Sequence, residues 1–186
     1  MNLKHLRQVI INRRLTRIIF ILLLVLHTSY IRANCHLDDD SLTVRLEELV
    51  LKENLLRNVY FVKKLSSEEI VEYKISYIGD VHNIKGHFKF IFISTYSGLY
   101  KDSKKCRSRI IIYKKNLRYG EYYIGGHFDN IPLIIDSSVV ITPNADGHCD
   151  QITRLDFKQE LMNQIFIPCK EKDGKLFGDI YYFKVY

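Results

Sequence analysis

The nine residues His87–Thr95, HFKFIFIST, constrain the fold of this chain more than any other stretch. Successive side chains of an extended strand point to opposite faces. Phe88, Phe90 and Phe92 therefore line one face, and Ile91 and Ile93 the other. A strand that is apolar on both faces at its centre belongs in the middle of a core.

Period-two patterns recur on both sides of it. Val59 and Phe61 alternate with Tyr60 and Val62. Ser66 with Glu69 fits a helical capping box, with Leu65 and Ile70 as a staple. Yet Val71, Tyr73, Ile75 and Tyr77 alternate with Glu72, Lys74 and Ser76 over a longer span, so the pattern predicts a strand, a turn at the serines, and a second strand ending at Gly79. Arg109–Lys115 and Tyr119–Ile124 read as a hairpin around Asn116-Leu117-Arg118. Short strands follow at Pro132–Ile135 and Val139–Thr142, with a loop at Pro143–Gly147. A weaker strand spans Ile152–Phe157. Gln164–Ile167, a turn at Asp173-Gly174 and a terminal strand Gly178–Tyr186 close the chain.

One helix is predicted. Asp38, Asp39, Asp40 and Ser41 suit a helix start, and Leu42, Leu46, Leu49 and Val50 recur at helical spacing over about Leu42–Leu56. One helix and roughly nine strands predict a mainly β (α+β) fold, an antiparallel sandwich or partly closed barrel with an N-terminal helix.

Ahead of this domain stands the run Ile18–Leu26, IIFILLLVL. Lys4, Arg7, Arg13, Arg14 and Arg17 precede it without an acid, and small residues follow, which is the pattern of a secretory signal peptide. A spanning helix needs about 20 apolar residues, roughly twice this core. The expected division is a signal peptide at 1–33 and a single β-rich globular domain at 34–186, secreted or periplasmic. The alternative is an uncleaved anchor over residues 18–31. Arg32 and Asn34 beside Cys35 argue against a lipid anchor there.

The leader changes how the charge reads. The formal charge of +7 includes six basic residues in 1–33 and no acid, so residues 34–186 carry 22 basic against 21 acidic side chains. A global argument for nucleic acid or a membrane surface fails, and nucleic acid is a poor partner for an exported chain. A local patch survives: Lys101, Lys104, Lys105, Arg107, Arg109, Lys114, Lys115 and Arg118 oppose the single Asp102, with Tyr113 and Tyr119 among them. It suits an anionic surface or an acidic protein, or else it is ordinary solvated strand ends. Tyr122, Tyr123, Tyr181 and Tyr182 offer rigid contact area of the kind interfaces use.

Four cysteines, Cys35, Cys106, Cys149 and Cys169, suggest disulfides in an oxidising compartment, with three possible pairings. Metal and cofactor signatures are absent. Aligning Gly147 with the glycine of a calcium loop places Thr142 and Thr153 where charged ligands belong. Looser calcium binding by Asp146 and Asp150 has too few ligands to expect. His148 and Cys149 are adjacent and point apart on an extended chain, and His82, His87 and His127 lack zinc-ligand spacing. Thr95-Tyr96-Ser97-Gly98 lacks the first glycine of a nucleophile elbow, and no phosphate-binding glycine motif occurs.

The expected function is a non-catalytic secreted or periplasmic domain that binds a protein or an anionic surface. The alternatives are an extracytoplasmic hydrolase with a carboxylate or histidine site near Asp129 or Asp146–Asp150, or an envelope structural protein tethered by its leader.

Overall fold

β3 (Gly86–Gly98) pairs antiparallel with β2 (Ile70–Asn83) on one side and β4 (Lys105–Lys114) on the other. The computed structural model describes residues 39–65, 69–100, 103–142, 151–170 and 176–186. The leader, Cys35, Lys101 and the Asn144–Asp150 loop lie outside the described residues. The chain divides into two compact units, Met1–Val44 and Arg45–Tyr186, and the architecture below is that of the second.

Its strands run as a meander from β1 (Val59–Leu65) through β2, β3 and β4 to β5 (Leu117–Gly125). A separate three-stranded sheet follows, made of β6 (Leu133–Ile135), β7 (Ser138–Ile141) and β8 (Thr153–Asp156). The chain then returns to the large sheet. β10 (Leu176–Val185) pairs with β5, and β9 (Gln164–Lys170) forms the outer edge, giving the order β1-β2-β3-β4-β5-β10-β9. All pairings are antiparallel. The fold is thus mainly β with one helix, as the alternation predicts. Ten strands are present among the described residues.

Both faces of β3 are buried, as its composition requires. On one face Phe88, Phe90 and Phe92 pack with Ile110, Ile112, Tyr122 and Ile124. The small sheet closes over this face through Val139, Ile141, Leu155 and Phe157. The opposite face presents Tyr73, Ile75, Tyr77, Ile91, Ile93, Ile111 and Tyr113, all buried. There Glu47 of α1 (Asp39–Glu53) accepts a hydrogen bond from Tyr113.

Three local details depart from expectation. β2 continues past Gly79 to Asn83, because a bulge between Tyr77 and Gly79 absorbs one residue and lets pairing resume. Gly79 takes φ +130° there, a value that side chains rarely adopt. α1 ends before Leu56, because Asn54 turns left-handed at φ 50° and its N–H returns to the Val50 carbonyl. The β4–β5 turn is at Lys115-Asn116, both at positive φ, which matches the twist of a two-residue hairpin.

Candidate functional site

The inner face of the large sheet changes from apolar to polar beyond Phe92. Register builds this end row by row. Lys74, Ser94 and Ser108 lie side by side on β2, β3 and β4, and the next row is Glu72, Tyr96 and Cys106. The Ser94 and Ser108 hydroxyls are buried 2.8 Å apart, and Ser108 donates to the Gly126 carbonyl at 2.6 Å. That bond fixes the connection after β5, where Gly125 has turned the chain at φ +83°. His127 follows this anchor directly, and Asp129 lies two residues further on.

His127 links two polar groups. Its Nε2 lies 2.8 Å from Asp129 Oδ1 and its Nδ1 lies 2.7 Å from the Tyr96 hydroxyl. An ionised carboxylate can only accept, so Nε2–H donates to Asp129 and Nδ1 accepts from Tyr96. Tyr96 in turn stands opposite Cys106, its cross-strand neighbour on β4. Burial, together with Cys106 and Asp129, pushes the Tyr96 phenol up to about 12, so it stays protonated at neutral pH. Cys106 is a free, half-buried thiol, with Sγ 3.9 Å from the Ser108 hydroxyl.

Charged groups frame this chain. The Lys74 ammonium donates to the Asp129 carbonyl at 3.2 Å. Glu72 pairs with Lys104 at 2.6 Å and Lys63 at 3.1 Å, and their hydrogen bonds hold its carboxyl below the usual range. Beside Asp129 runs an open groove of about 630 Å³, walled by Phe61, Ile131 and Leu133 with Lys74 and Asp129 on its polar side. Among the described residues, no group of three or more His, Cys, Asp and Glu side chains is placed to hold a metal ion.

The basic cluster of the sequence is divided by strand alternation. Tyr113 is buried and donates to Glu47 at 2.6 Å. Arg118 pairs with Glu47 and Glu121, and Arg109 with Glu121, each at 3.4 Å. Glu47 is fully buried, and burial raises its carboxyl above the ordinary value despite these partners. These three residues therefore belong to an internal network that fastens the helix. Lys104 is committed to Glu72, and Lys114 reaches over the rings of Phe88 and Tyr119 on the other face. Lys105, Arg107 and Lys115 remain exposed.

The tyrosines separate in the same way. Tyr122 is buried and donates to the Met162 carbonyl, and Tyr181 is half-buried. Tyr123 and Tyr182 are exposed on the helix-side face, in an area that α1 does not cover. Phe166 pairs with Ile180, and Tyr182 is two residues further along that face. Tyr123 lies one step beyond the Phe183–Tyr122 pair and opposite Arg109. The exposures are 45% for Phe166, 52% for Ile180, 68% for Tyr182 and 48% for Tyr123. They form an apolar strip across β9, β10 and β5, and Arg107 on β4 lies at its inner end.

His127 and Asp129 stand in the sequence as an isolated histidine and a loop aspartate. Their i, i+2 spacing, which puts both on one side of an extended segment, is the signal that would have joined them. Nothing local joins Tyr96 to Cys106, since only the β3–β4 register does so.

No protein-family model matches the chain, and neither the curated proteins nor the solved structures contain a match to it.

Proposed function

We propose that the chain is an exported, non-catalytic binding domain that recognises an acidic protein through the exposed face of β5, β10 and β9. The observation that carries this reading is the strip Tyr123, Phe166, Ile180 and Tyr182, four large apolar side chains left in water on three adjacent strands. Exposed apolar surface of this kind marks interaction sites. Covering each side chain removes about 100 Å² from water and is worth roughly 2 kcal/mol before association costs. Exposed Arg107 and Lys105 at the inner end favour a negatively charged partner. Export rests on the leader pattern.

The test places a photo-crosslinking amino acid at Tyr182 in the full chain, expressed in its own host. The expected result is one discrete acidic adduct that disappears with Ile180→Asp and weakens with Arg107→Glu and with salt. Adducts indistinguishable from those at Ile84, an equally exposed hairpin residue, would overturn the proposal.

One observation favours a second reading, an extracytoplasmic hydrolase with a carboxylate and histidine site. It is the His127–Asp129 pair at the rim of the groove. That reading requires Asp129→Asn to abolish a hydrolytic activity, and no such loss would remove it.

A further inference from the structure

We propose that the paired tips of the β2–β3 and β4–β5 hairpins dock on an anionic lipid bilayer, with Ile84 and Leu117 entering its surface and lysines meeting the headgroups. Ile84 is 75% exposed and Leu117 74%, both at the turn end of the large sheet. Residues 83–86 and 114–117 contain Lys85, Lys114 and Lys115 and no acid. This surface stands independently of the strip on β5, β10 and β9, since Lys114 and Arg107 lie towards opposite ends of β4.

Local chemistry makes both tips. Asn83 pairs with Gly86, so Ile84 and Lys85 are the turn residues, and Gly86 takes φ +128°. Lys114 pairs with Leu117, so Lys115 and Asn116 turn the second hairpin. A Cβ added at Gly86 would meet Lys114 Cε at 3.4 Å and Nζ at 3.9 Å, so the two turns stand side by side. The first tip is braced. Asn83 Nδ2 donates to the Phe157 carbonyl at 3.1 Å, and the Lys85 N–H donates to Asn83 Oδ1 at 2.9 Å. A tip already held in shape loses little freedom on docking.

Aliphatic side chains on narrow turns can enter a fluid layer without a complementary pocket. Apolar area buried at the acyl boundary, with cations in the headgroup plane, is how interfacial segments hold a membrane. Lys114 passes over Phe88 and Tyr119, its ammonium 5.2 and 5.7 Å from the ring centroids, so an apolar stem carries the charge to the rim. Tyr119, 36% exposed, is an amphipathic ring of the kind enriched at headgroup level. Asp80, the nearest acid along β2, faces His87 at 3.1 Å, and Lys89 donates to Asn54 at 3.2 Å. Lys85, Lys114 and Lys115 therefore set the sign of the two turns, and a lysine at an anionic surface strengthens binding about fivefold.

The sequence contains no tryptophan, so single substitutions report on the tips by fluorescence. Ile84→Trp and Leu117→Trp, each in the full-length chain, are titrated with vesicles of mixed phosphatidylcholine and phosphatidylserine. The expected result is blue-shifted emission that brominated acyl chains quench. Half the shift should need at least about tenfold more lipid when phosphatidylserine is left out. Lys85→Gln with Lys115→Gln should raise the requirement about 25-fold, and Ile84→Asp should abolish the shift of Leu117→Trp. Phe61→Trp, at a position 76% exposed in the row of Lys74 and Ser94, keeps the emission of water. Sedimentation with vesicles while both tip reporters stay unshifted would mean that the leader alone holds the membrane, and would overturn the proposal. So would an equal shift at Phe61→Trp. A shift with soluble polyglutamate and none with vesicles would assign the tips to an acidic protein and overturn it as well.

Discussion

Removing the phenol oxygen of Tyr113 with Tyr113→Phe tests the internal charge network. The ring is buried, so phenylalanine keeps its packing and loses only the 2.6 Å bond to Glu47. Glu47 is fully buried, and its carboxylate is left with Arg118 at 3.4 Å. A hydrogen bond to a buried charged group contributes about 1.5–3 kcal/mol, and one between neutral groups about 0.5–1.5 kcal/mol. The loss therefore depends on pH. Burial holds the folded pKa of Glu47 above its ordinary 4.5, and the Tyr113 bond pulls it back down. A raised acid contributes stability below its unfolded pKa and loses it as pH rises through the folded value. Tyr113→Phe raises the folded value further and deepens that loss. Urea unfolding should show about 1.5–3 kcal/mol of destabilisation where Glu47 is ionised, falling to about 0.5–1.5 kcal/mol as acidification protonates it in both chains. A loss under about 0.5 kcal/mol at pH 7, or one that grows on acidification, would refute the reasoning.

Other outcomes follow from the same geometry. Phe157→Ala should cost about 3–5 kcal/mol in urea unfolding, because this buried ring joins the small sheet to Phe90 and Tyr122 of the large one. Gly120→Ala should destabilise by about 1–3 kcal/mol, since the added Cβ would lie 2.6 Å from the Lys184 carbonyl and against the Phe183 ring; an unchanged midpoint would show that β10 can shift freely. Ser108→Ala should loosen the segment carrying His127 by removing its hold on Gly126, read as faster amide exchange there with the rest of the sheet unaffected. Glu72 is depressed by Lys104 and Lys63, so its contribution is present above its unfolded pKa and lost as pH falls through the lowered value; Glu72→Gln should flatten that acid limb of the stability profile.

The strands were legible in the sequence because alternation is local. Phe88, Phe90 and Phe92 against Ile91 and Ile93 declare a covered strand without reference to anything else, and β3 is central and buried on both faces. The helix was legible from the acids at its start and the leucines after it. Its buried contact was not, because a charged residue, Glu47, takes a core position that only Tyr113 and Arg118 on distant strands make tolerable. Charge clustering along 101–118 was visible, but its distribution was not. Alternation sends neighbouring residues of β4 to opposite faces, and acids far away in sequence claim Lys104, Arg109 and Arg118.

By itself the sequence determined the class of fold and the two-layered need of the central strand, since each depends on side chains a few residues apart. Tertiary structure alone decided that β10 enters between β5 and β9, that the exposed apolar residues of three strands form one strip, and that Tyr96 and Cys106 meet beside His127 and Asp129. Those outcomes depend on which strands pair and in which register, and that choice is made by burial summed over the whole core rather than by any local spacing.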